Sequence, residues 1–464
     1  MTVGVVVSRA DSASRTVGSR LLDLREWESA EAAVDPGASA APTPVARHVT
    51  AGFELCEFEG WHLELEGVAG AFEDPEFVVF ASRHAGETGP LLTAHFTGNF
   101  GAAAHGGADR ELAPACPNAH RRVVAAFDEY VPEGYDVGVE CTHHGPTDVG
   151  APSMFVELGS SEDEWTDDAG ATAVARAILD LEGVAARTPR TVAAFGGGHY
   201  APRPARIVRG TDWAVGHVAA DWCLADLGDP RENADLVERV FEASGAVRAV
   251  VDGERPRLRE VIADLGYRVV GETWVRETTG VPLDVAADLE ARLGSVADGL
   301  RFGEAARADA PLETYAVCAH PDGLWADAHA VDPDAALAAA RERTLAYTTA
   351  EAGNRVTGRI ACRDAAAFDG YVDALVALLE AKYDDVERTA DAVTIRDETF
   401  DPEKAAARGV PEGPAFGRLA AGEAVEVGGE TVAPAEVSSE RRETYPLSKP
   451  ETVRRASDAR GKGN

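Results

Sequence analysis

Short apolar runs alternate with longer amphipathic segments through the first part of this chain. The run Val3–Val7 is almost wholly apolar, which is typical of a strand in the middle of a parallel sheet. Further apolar runs predict strands near 77–81, 91–97, 136–142, 153–158 and 191–195. Helical spacing follows or separates several of them, near 118–130 and 168–181. This alternation predicts an α/β fold with a mixed, mostly parallel sheet and flanking helices.

The pattern of strands and helices changes near residue 278. We therefore predict a first domain at 1–278, a linker at 279–284, a small C-terminal α+β domain at 285–440 and a flexible basic tail at 441–464. Helices beginning at Pro333 and at Asp364, with strands near 357–362 and 392–396, indicate the α+β character. The tail carries seven basic and three acidic residues, so a contact with RNA is open there.

Two short runs combine histidine with glycine and proline directly after predicted strands. They are Cys141–Thr147, which contains His143 and His144, and Gly196–Arg203, which contains His199 and Tyr200. Ligands of open α/β sheets bind beyond the carboxyl ends of the strands, where His84 and Thr97 are also predicted to lie. The two runs therefore predict one polar site at the ends of the strands.

The residue types in these runs allow metal binding, proton transfer and anion binding. Imidazole can ligate a metal or move a proton near neutral pH, and a nearby carboxylate can orient it. The candidates are His143, His144, His199, His84 and His95, with Glu140 and Glu157 on the strands leading into the first run. The amides of Gly196, Gly197 and Gly198 can hold a phosphate or an oxyanion. No fixed metal-binding spacing such as HExxH is present, so spacing assigns no metal.

Structural roles for the same residues stay open at this point. One of the two adjacent histidines can be packed and the other exposed, because neighbouring strand residues face opposite sides of a sheet. The three glycines can form only a tight turn, and each glutamate can belong to a structural ion pair.

The charge and the placement of lysine indicate a protein adapted to concentrated salt. The chain of 464 residues has 79 acidic and 44 basic residues, a net charge of −35, and only four lysines, all at Lys382 or later. Lysine Schiff-base and P-loop chemistry are therefore excluded before Lys382. Gly196, Gly198 and Ala201 match part of a dinucleotide-binding loop, but Pro202 and Pro204 predict that no helix follows.

The cysteines and the absence of long apolar segments predict a cytoplasmic protein. The six cysteines are scattered without a CxxC pair, which favours reduced, buried thiols. There is neither a signal-peptide pattern nor an apolar run of about 18 residues. We expect no membrane association.

Five ordered motifs resemble the archaeal and plant type of D-aminoacyl-tRNA deacylase, which is distinct from the bacterial type. They are Phe80–His84, Leu92–Asn99, Thr142–Thr147, Phe155–Trp165 and Gly196–Pro202, with Gly216-His217 as a further match. The resemblance covers about residues 1–278. It implies an α/β domain similar to the peptidyl-tRNA hydrolase and nucleoside phosphorylase group. The implied activity is hydrolysis of the ester between a D-amino acid and tRNA, which serves translation quality control.

The resemblance also implies zinc as cofactor and a monomer without protein partners, but it assigns no zinc ligand. From clustering we infer ligands among His143, His144, His199, Glu140, His84 and His95, and catalytic roles for His143, His144, Glu157 and His199. Candidate residues for binding the substrate or its tRNA phosphates are Arg83, Thr97, Asn99, Gly196, Gly197, Gly198, Tyr200 and Arg203. Many family members carry lysine at the position of Arg203, and arginine keeps the charge.

Alternatives to this function remain, and the C-terminal part is an extension relative to many members. A nucleoside phosphorylase-like enzyme or another metal-dependent small-ester hydrolase would suit the same site. A tRNA-binding protein without activity is the other alternative. Within the extension, residues 409–419 and 422–437 look similar to a short segment of the tRNA-processing ribonuclease Z family, without its metal-binding motif.

Overall fold

The protein is described by a computed structural model that covers residues 1–30, 41–308, 310–383 and 385–455. The chain divides into two compact units, Met1–Thr279 and Gly280–Asn464. The division falls inside the predicted linker 279–284, although helix begins again at Leu283. Within the described residues, no helix combines the length and apolar character needed to cross a membrane.

The first unit contains twelve of the described strands and nine of the described α-helices. The strands are β1 (Val3–Ser8), β2 (Glu28–Ala30), β3 (Ala46–Thr50), β4 (Phe53–Phe58), β5 (Phe77–Ala85), β6 (Leu91–His95), β7 (Asp136–Val137), β8 (Ser153–Ser160), β9 (Thr191–Phe195), β10 (Ala214–Ala219), β11 (Arg248–Val251) and β12 (Arg268–Val270). The helices are α1 (Ser12–Leu24), α2 (Pro117–Tyr130), α3 (Glu162–Trp165), α4 (Asp168–Leu179), α5 (Pro202–Gly210), α6 (Asp221–Leu227), α7 (Ala234–Ser244), α8 (Pro256–Asp264) and α9 (Glu272–Glu277).

An eight-stranded mixed sheet forms the larger layer of this unit. Its order is β2-β3-β4-β1-β5-β8-β6-β7, and β4, β1, β5 and β8 run parallel in the centre. β1 is buried along its whole length, as its apolar sequence predicts. Helices α1, α2 and α4 contribute to a buried apolar cluster with one face of this sheet. The α/β fold with a mostly parallel sheet is therefore confirmed.

A second sheet of four parallel strands follows in the chain. Its order is β10-β9-β11-β12, so the direction of strand addition reverses between β9 and β11. Such a reversal opens a crevice at the carboxyl ends of the two strands. The loop after β9 carries Gly196–His199 and reaches this edge.

The expectation that Pro202 and Pro204 prevent a helix after the glycine loop is wrong. Helix α5 begins at Pro202, and Pro204 lies in its first turn. The first N–H groups of a helix have no partner within the helix, so proline loses no hydrogen bond there. Ala201 precedes α5 in the left-handed region, with a φ of 34°.

The second unit is an α+β structure, as predicted. Its helices are α10 (Leu283–Leu293), α11 (Asp322–Val331), α12 (Pro333–Arg343), α13 (Ala365–Glu380), α14 (Pro402–Ala407) and α15 (Pro414–Ala420). Its strands are β13 (Leu300–Phe302), β14 (Thr314–Ala319), β15 (Ala346–Ala350), β16 (Arg355–Cys362), β17 (Asp385–Arg388), β18 (Ala392–Phe400), β19 (Val425–Val427), β20 (Glu430–Val432), β21 (Ser438–Pro446) and β22 (Glu451–Arg454). They form antiparallel sheets in the orders β13-β15-β16-β14-β22, β17-β18-β21 and β19-β20.

The structure differs from the predicted flexible tail at 441–464. Residues 441–455 include most of β21 and all of β22, which pair with β18 and β14. Tyr445 and Leu447 are buried in the apolar cluster of this unit, which holds the segment in place. The rest of the predicted tail lies outside the described residues.

Candidate active site

One face of the eight-stranded sheet presents three of the predicted site residues side by side. Side chains at alternate positions of a strand point to the same face. In the register of β5 and β8, Ser82 lies opposite Glu157 and His84 opposite Gly159. In the register of β6 and β8, His95 lies opposite Phe155. His84, His95 and Glu157 are all buried on this face.

The segment after β7 joins this face to the second sheet. The amides of Gly138 and Glu140 donate to Leu92 O and Ala94 O of β6, at 2.9 and 3.3 Å. Further along, Cys141 N donates to His199 O at 2.8 Å and Thr142 N donates to Val218 O at 2.9 Å. The predicted strand 136–142 is therefore a strand only over β7, and its remainder brings the first histidine run against the loop that carries His199.

Three imidazoles meet where this segment ends. The ring centroids of His95 and His143 are 4.2 Å apart, those of His143 and His144 4.4 Å, and those of His95 and His144 4.8 Å. Each Nδ1 lies on a backbone carbonyl: His95 on Phe96 O at 3.0 Å, His143 on Cys141 O at 2.8 Å and His144 on Gly145 O at 2.7 Å. Because a carbonyl only accepts, each Nδ1 carries a hydrogen, so the nitrogen that can ligate a metal in the neutral ring is Nε2. Burial opposes the charged form of His95, but Glu157 raises the pKa of this ring, which must therefore give up its Nε2 proton when it binds a metal.

This arrangement suits a metal ion. Histidine ligands commonly donate their second ring N–H to a carbonyl or carboxylate, which fixes the ring and the tautomer. The Nε2 of His95 is buried and has no hydrogen-bond partner among the described residues. Imidazole nitrogens are ligands that zinc accepts readily. The donor set of His95, His143 and His144 therefore fits zinc.

The second histidine of the run, His144, is held by its surroundings in a strained backbone conformation. His144 has a φ of 44°, in the left-handed region that a side chain with a Cβ rarely adopts. Its carbonyl accepts from Gly98 N at 2.8 Å, and Gly145 N donates to His105 O at 3.0 Å. A Cβ on Gly145 would lie 2.3 Å from the backbone nitrogen of Gly107, so only glycine fits. Such strain persists where the surrounding structure enforces it.

Two buried carboxylates and two further histidines lie beside the three imidazoles. Glu140 Oε2 accepts from His199 Nε2 at 2.8 Å, and its Oε1 lies 3.2 Å from His84 Nδ1. Glu157 lies between His84 and His95, 3.7 Å from His84 Nδ1 and 3.5 Å from His95 Nε2. The structure thus brings together all seven residues that clustering on the sequence predicted as ligands or catalytic groups.

Burial and nearby charges determine which of His84, His199 and Glu140 are charged. Burial disfavours the charged form of His84, but the adjacent Glu140 and Glu157 outweigh it and raise the pKa of His84 to about 9. Hydrogen bonds with Cys141 and Glu140 raise the pKa of His199 to about 10. Burial opposes ionisation of Glu140, yet the bonds with His199 and His84 hold its pKa well below the ordinary value. Glutamates and imidazoliums therefore face each other at neutral pH.

Cys141 and Tyr200 complete the surroundings of His199. The Sγ of Cys141 lies 3.4 Å from His199 Nδ1, and Cys141 is fully buried. The sequence interpretation treated Cys141 as an ordinary buried thiol, although it begins the histidine run. Tyr200 is 39% exposed, and its hydroxyl lies 3.3 Å from His84 Nε2. Tyr200 therefore covers the histidine and glutamate cluster on its solvent side.

Among the described residues, donor atoms approach within 4.8 Å of one another in three groups. They are His95, His143 and His144; Cys141, His143 and His199; and His84, Glu140 and Glu157. The third group is balanced by the charge of His84, whereas the first consists of three imidazoles whose Nδ1 atoms all contact backbone carbonyls. We therefore place the metal candidate at the first group.

The structure places several predicted substrate-binding residues in other contacts. The Nδ2 of Asn99 donates to Gly106 O and Ala108 O, which fixes the neighbouring loop, and Thr97 is buried. The guanidinium of Arg83 lies 4.6 Å from the ring centroids of both Trp61 and Trp165. These residues lie near the cluster in sequence, but their polar groups are engaged or enclosed.

The glycine loop and Arg203 are also largely engaged. Gly196 N donates to Ala219 O at 2.7 Å, and Gly197 N donates to Asp221 Oδ1 at 2.7 Å. Only Gly198 is exposed to solvent in this triplet. Arg203 donates to Val251 O at 3.1 Å and pairs with Asp252 and Glu272.

Two other histidines of the sequence take no part in the cluster. His217 is fully buried; its Nε2 donates to Ala113 O at 2.8 Å and its Nδ1 lies 3.0 Å from Thr142 Oγ1. His105 is exposed. A histidine near one of the motifs in sequence therefore need not belong to the cluster in the structure.

Comparison with known proteins connects this cluster to a family. A family model described as D-aminoacyl-tRNA deacylase matches residues 71–270. A curated D-aminoacyl-tRNA deacylase of Halobacterium salinarum is 53% identical and covers 100% of both chains. The chain belongs to the D-aminoacyl-tRNA deacylase family. The resemblance inferred from the five motifs is thus confirmed.

More distant curated members agree with this family assignment, and one solved structure has a similar fold. D-aminoacyl-tRNA deacylases of Halorubrum lacusprofundi and Methanoregula boonei are 49% and 33% identical, over 97% and 83% of this chain and 97% and 88% of theirs. The crystal structure of a conserved protein of unknown function is similar with a TM-score of 0.54 and 26% identity, over 60% of this chain and 98% of that one. Full-length matches among haloarchaeal deacylases show that they share the C-terminal unit.

Proposed function

We propose that this protein hydrolyses the ester bond of D-aminoacyl-tRNA, releasing tRNA and a D-amino acid. Membership of the D-aminoacyl-tRNA deacylase family supports this activity. The observation that carries it is the convergence of ring nitrogens from His95, His143 and His144 beside the carboxylates of Glu140 and Glu157. Ester hydrolysis needs an activated water and a stabilised oxyanion, and this cluster offers groups for both.

Zinc is part of the proposal, with His95, His143 and His144 as its ligands through Nε2. When bound, zinc would supply Lewis acidity that activates water and polarises the ester carbonyl. The support lies in the three tautomers, which the carbonyl contacts of Nδ1 fix, and in the unpartnered Nε2 of His95.

The carboxylates and charged imidazoles supply the proton transfers in this proposal. A carboxylate oxygen of Glu140 takes the proton of the attacking water, since Glu140 is ionised and 3.9 Å from His143 Nε2. The hydrogen-bonded pair of Glu140 and His199 then passes the proton taken from water to the departing ribose oxygen, and the bond between them orients the ring of His199. His84 stabilises the negative charge that develops on the carbonyl oxygen.

This assignment modifies the role inferred for the glycine loop. The amides of Gly196 and Gly197 already have acceptors, so they cannot hold the oxyanion. Glu157 lies 3.7 Å from His84 Nδ1 and is proposed to fix that ring. The catalytic set is therefore His84, Glu140, His199 and the three metal-binding histidines.

Separate substitutions at the two histidine runs test the proposed function. We expect His143→Ala and His199→Ala each to lower kcat for D-tyrosyl-tRNA at least about 100-fold, in the range of lost acid, base or metal catalysis. His48→Ala is the matched control, because His48 lies outside the cluster and pairs with Glu57 at 3.6 Å. Near wild-type rates for both cluster variants would contradict this site.

We further propose that the enzyme is a cytoplasmic monomer that works in concentrated salt. Its net charge of −35 and the haloarchaeal origin of its similar relatives support the salt adaptation. Light scattering in molar salt tests the monomer.

A further inference from the structure

A groove runs along α5 and ends at the candidate active site. It has a volume of about 1070 Å³ and is lined by α5, α9, the end of α2 and the segment around β7. Tyr200 is one of the residues that line the groove, and its hydroxyl lies 3.3 Å from His84 Nε2. The groove is thus continuous with the histidine and glutamate cluster.

Arginine is concentrated along this groove. Arg206 and Arg209 follow one another on α5 at a spacing of three, which places them on adjacent parts of one helix face, and Arg276 of α9 lies beside them. Their side chains are 55%, 46% and 46% exposed. In a chain with 79 acidic and 44 basic residues, three exposed guanidinium groups in one groove are unusual.

Carboxylates hold these arginines without neutralising them completely. Arg206 and Arg276 share Glu272, at 3.0 and 2.9 Å, and Arg209 pairs with Asp128 at 2.6 Å. Asp136 also lines the groove, so its overall charge is close to balanced. Exposed ion pairs contribute only about 0–1 kcal/mol. An arginine of the groove can therefore exchange its carboxylate partner for a phosphate of the ligand at little cost in free energy. The planar guanidinium group suits phosphate oxygens in pairs.

Aromatic surface lies at the end of the groove that faces the cluster. Tyr200 is exposed by 39%, and its ring centroid lies 5.0 Å from that of His199. Bases of single-stranded nucleic acid stack on such rings with little dependence on sequence. A nucleotide stacked on Tyr200 would have its ribose close to His199 and His84.

We propose that this groove binds the single-stranded 3′ end of the tRNA, with its phosphates on Arg206, Arg209 and Arg276 and its terminal base on Tyr200. The inference rests on the proposed function and adds the path by which the nucleic acid reaches the cluster. Arg203, which the sequence favoured as the phosphate ligand, is only 22% exposed and is bonded to Val251 O. The phosphate contacts therefore belong to the next arginines of α5.

The test compares a substrate that has the tRNA body with one that lacks it. The triple variant Arg206→Gln, Arg209→Gln, Arg276→Gln is assayed on D-tyrosyl-tRNA and on 3′-O-D-tyrosyl-adenosine, which carries no phosphate. We expect KM for the tRNA substrate to rise about tenfold or more with kcat little changed, and the salt dependence of tRNA binding to weaken. Kinetics on the adenosine ester stay at the wild-type level.

Arg231→Gln is the matched control, since Arg231 is 60% exposed and pairs with Glu260 at 2.6 Å outside the groove. Binding of uncharged tRNA by filter retention is measured in parallel, so the groove is tested even without turnover. Unchanged tRNA binding and KM in the triple variant, or an equal loss on the adenosine ester, would overturn the proposal. Wild-type protein that binds tRNA through these arginines but hydrolyses neither substrate would refute the proposed function and leave the groove supported.

Discussion

Replacing Glu140 by glutamine removes the charge that lies between two imidazoliums. Glu140 is 2% exposed, accepts from His199 at 2.8 Å and lies 3.2 Å from His84. Glutamine has nearly the same shape, so Glu140→Gln changes the charge with little change in packing. We expect the fold to be retained and the ring of His199 to lose its fixed orientation.

The size of the effect follows from the loss of the proposed general base. General acid–base catalysis contributes about 100- to 10,000-fold, so we expect kcat to fall by about that factor. The weakened bond to His199 alone, at about 1.5–3 kcal/mol, would account for about 10- to 150-fold of this. KM changes little, because Glu140 does not line the arginine groove.

The assay is single-turnover hydrolysis of D-tyrosyl-tRNA in molar salt. Glu182→Gln is the control, because Glu182 is 51% exposed, pairs with Arg25 at 3.0 Å and is not a member of the cluster. Circular dichroism and bound zinc are measured on each variant. Unchanged kcat in a folded Glu140→Gln protein would refute the role of Glu140 in the proton transfers.

Three further predictions concern the metal site, the strained loop and buried histidine. His144→Ala should lose bound zinc by elemental analysis while its circular dichroism stays native; full zinc occupancy would contradict the ligand assignment. Gly145→Ala places a Cβ 2.3 Å from the backbone nitrogen of Gly107, so unfolding in denaturant should show a loss of about 1–3 kcal/mol, and an unchanged midpoint would contradict the close contact. Burial lowers the pKa of His217 to about 4, so the unfolded state binds more protons between about pH 6.5 and pH 4 and stability falls with acidity. Between pH 7 and pH 5 this costs about 2 kcal/mol, and His217→Gln should show a correspondingly shallower dependence in denaturant titrations; an identical pH dependence would refute it.

The sequence predicted which residues meet at the site better than it predicted how the strands and loops bring them together. Apolar runs and the order of motifs indicated that His84, Glu157 and the two histidine runs lie together. The expectation of a site at the carboxyl ends of strands holds for His84 on β5 but fails for Thr97. β6 ends at His95, before Thr97, and it runs antiparallel to β8. Strand direction depends on pairing partners that no local pattern reveals.

Roles of single residues were harder to predict because they depend on hydrogen-bond partners distant in the chain. The sequence suggested that the amides of Gly196 and Gly197 can bind a ligand, but in the structure they donate to Ala219 O and Asp221 Oδ1. From the sequence, Cys141 is an ordinary buried thiol. In the structure, the segment 138–142 connects the two sheets and places the Sγ of Cys141 against His199. The proline argument failed because α5 begins at Pro202, where a missing N–H has no cost.

The most direct test of the proposed activity and metal site is deacylation of matched D- and L-tyrosyl-tRNA by the full chain in molar salt, with and without a zinc chelator. We expect the D-ester to be hydrolysed much faster than the L-ester, and the chelator to abolish the reaction until zinc is restored. A half-life of the D-ester that is the same with and without enzyme would contradict the proposed activity. Rapid hydrolysis that persists in a zinc-free, chelated enzyme would contradict the metal site at His95, His143 and His144.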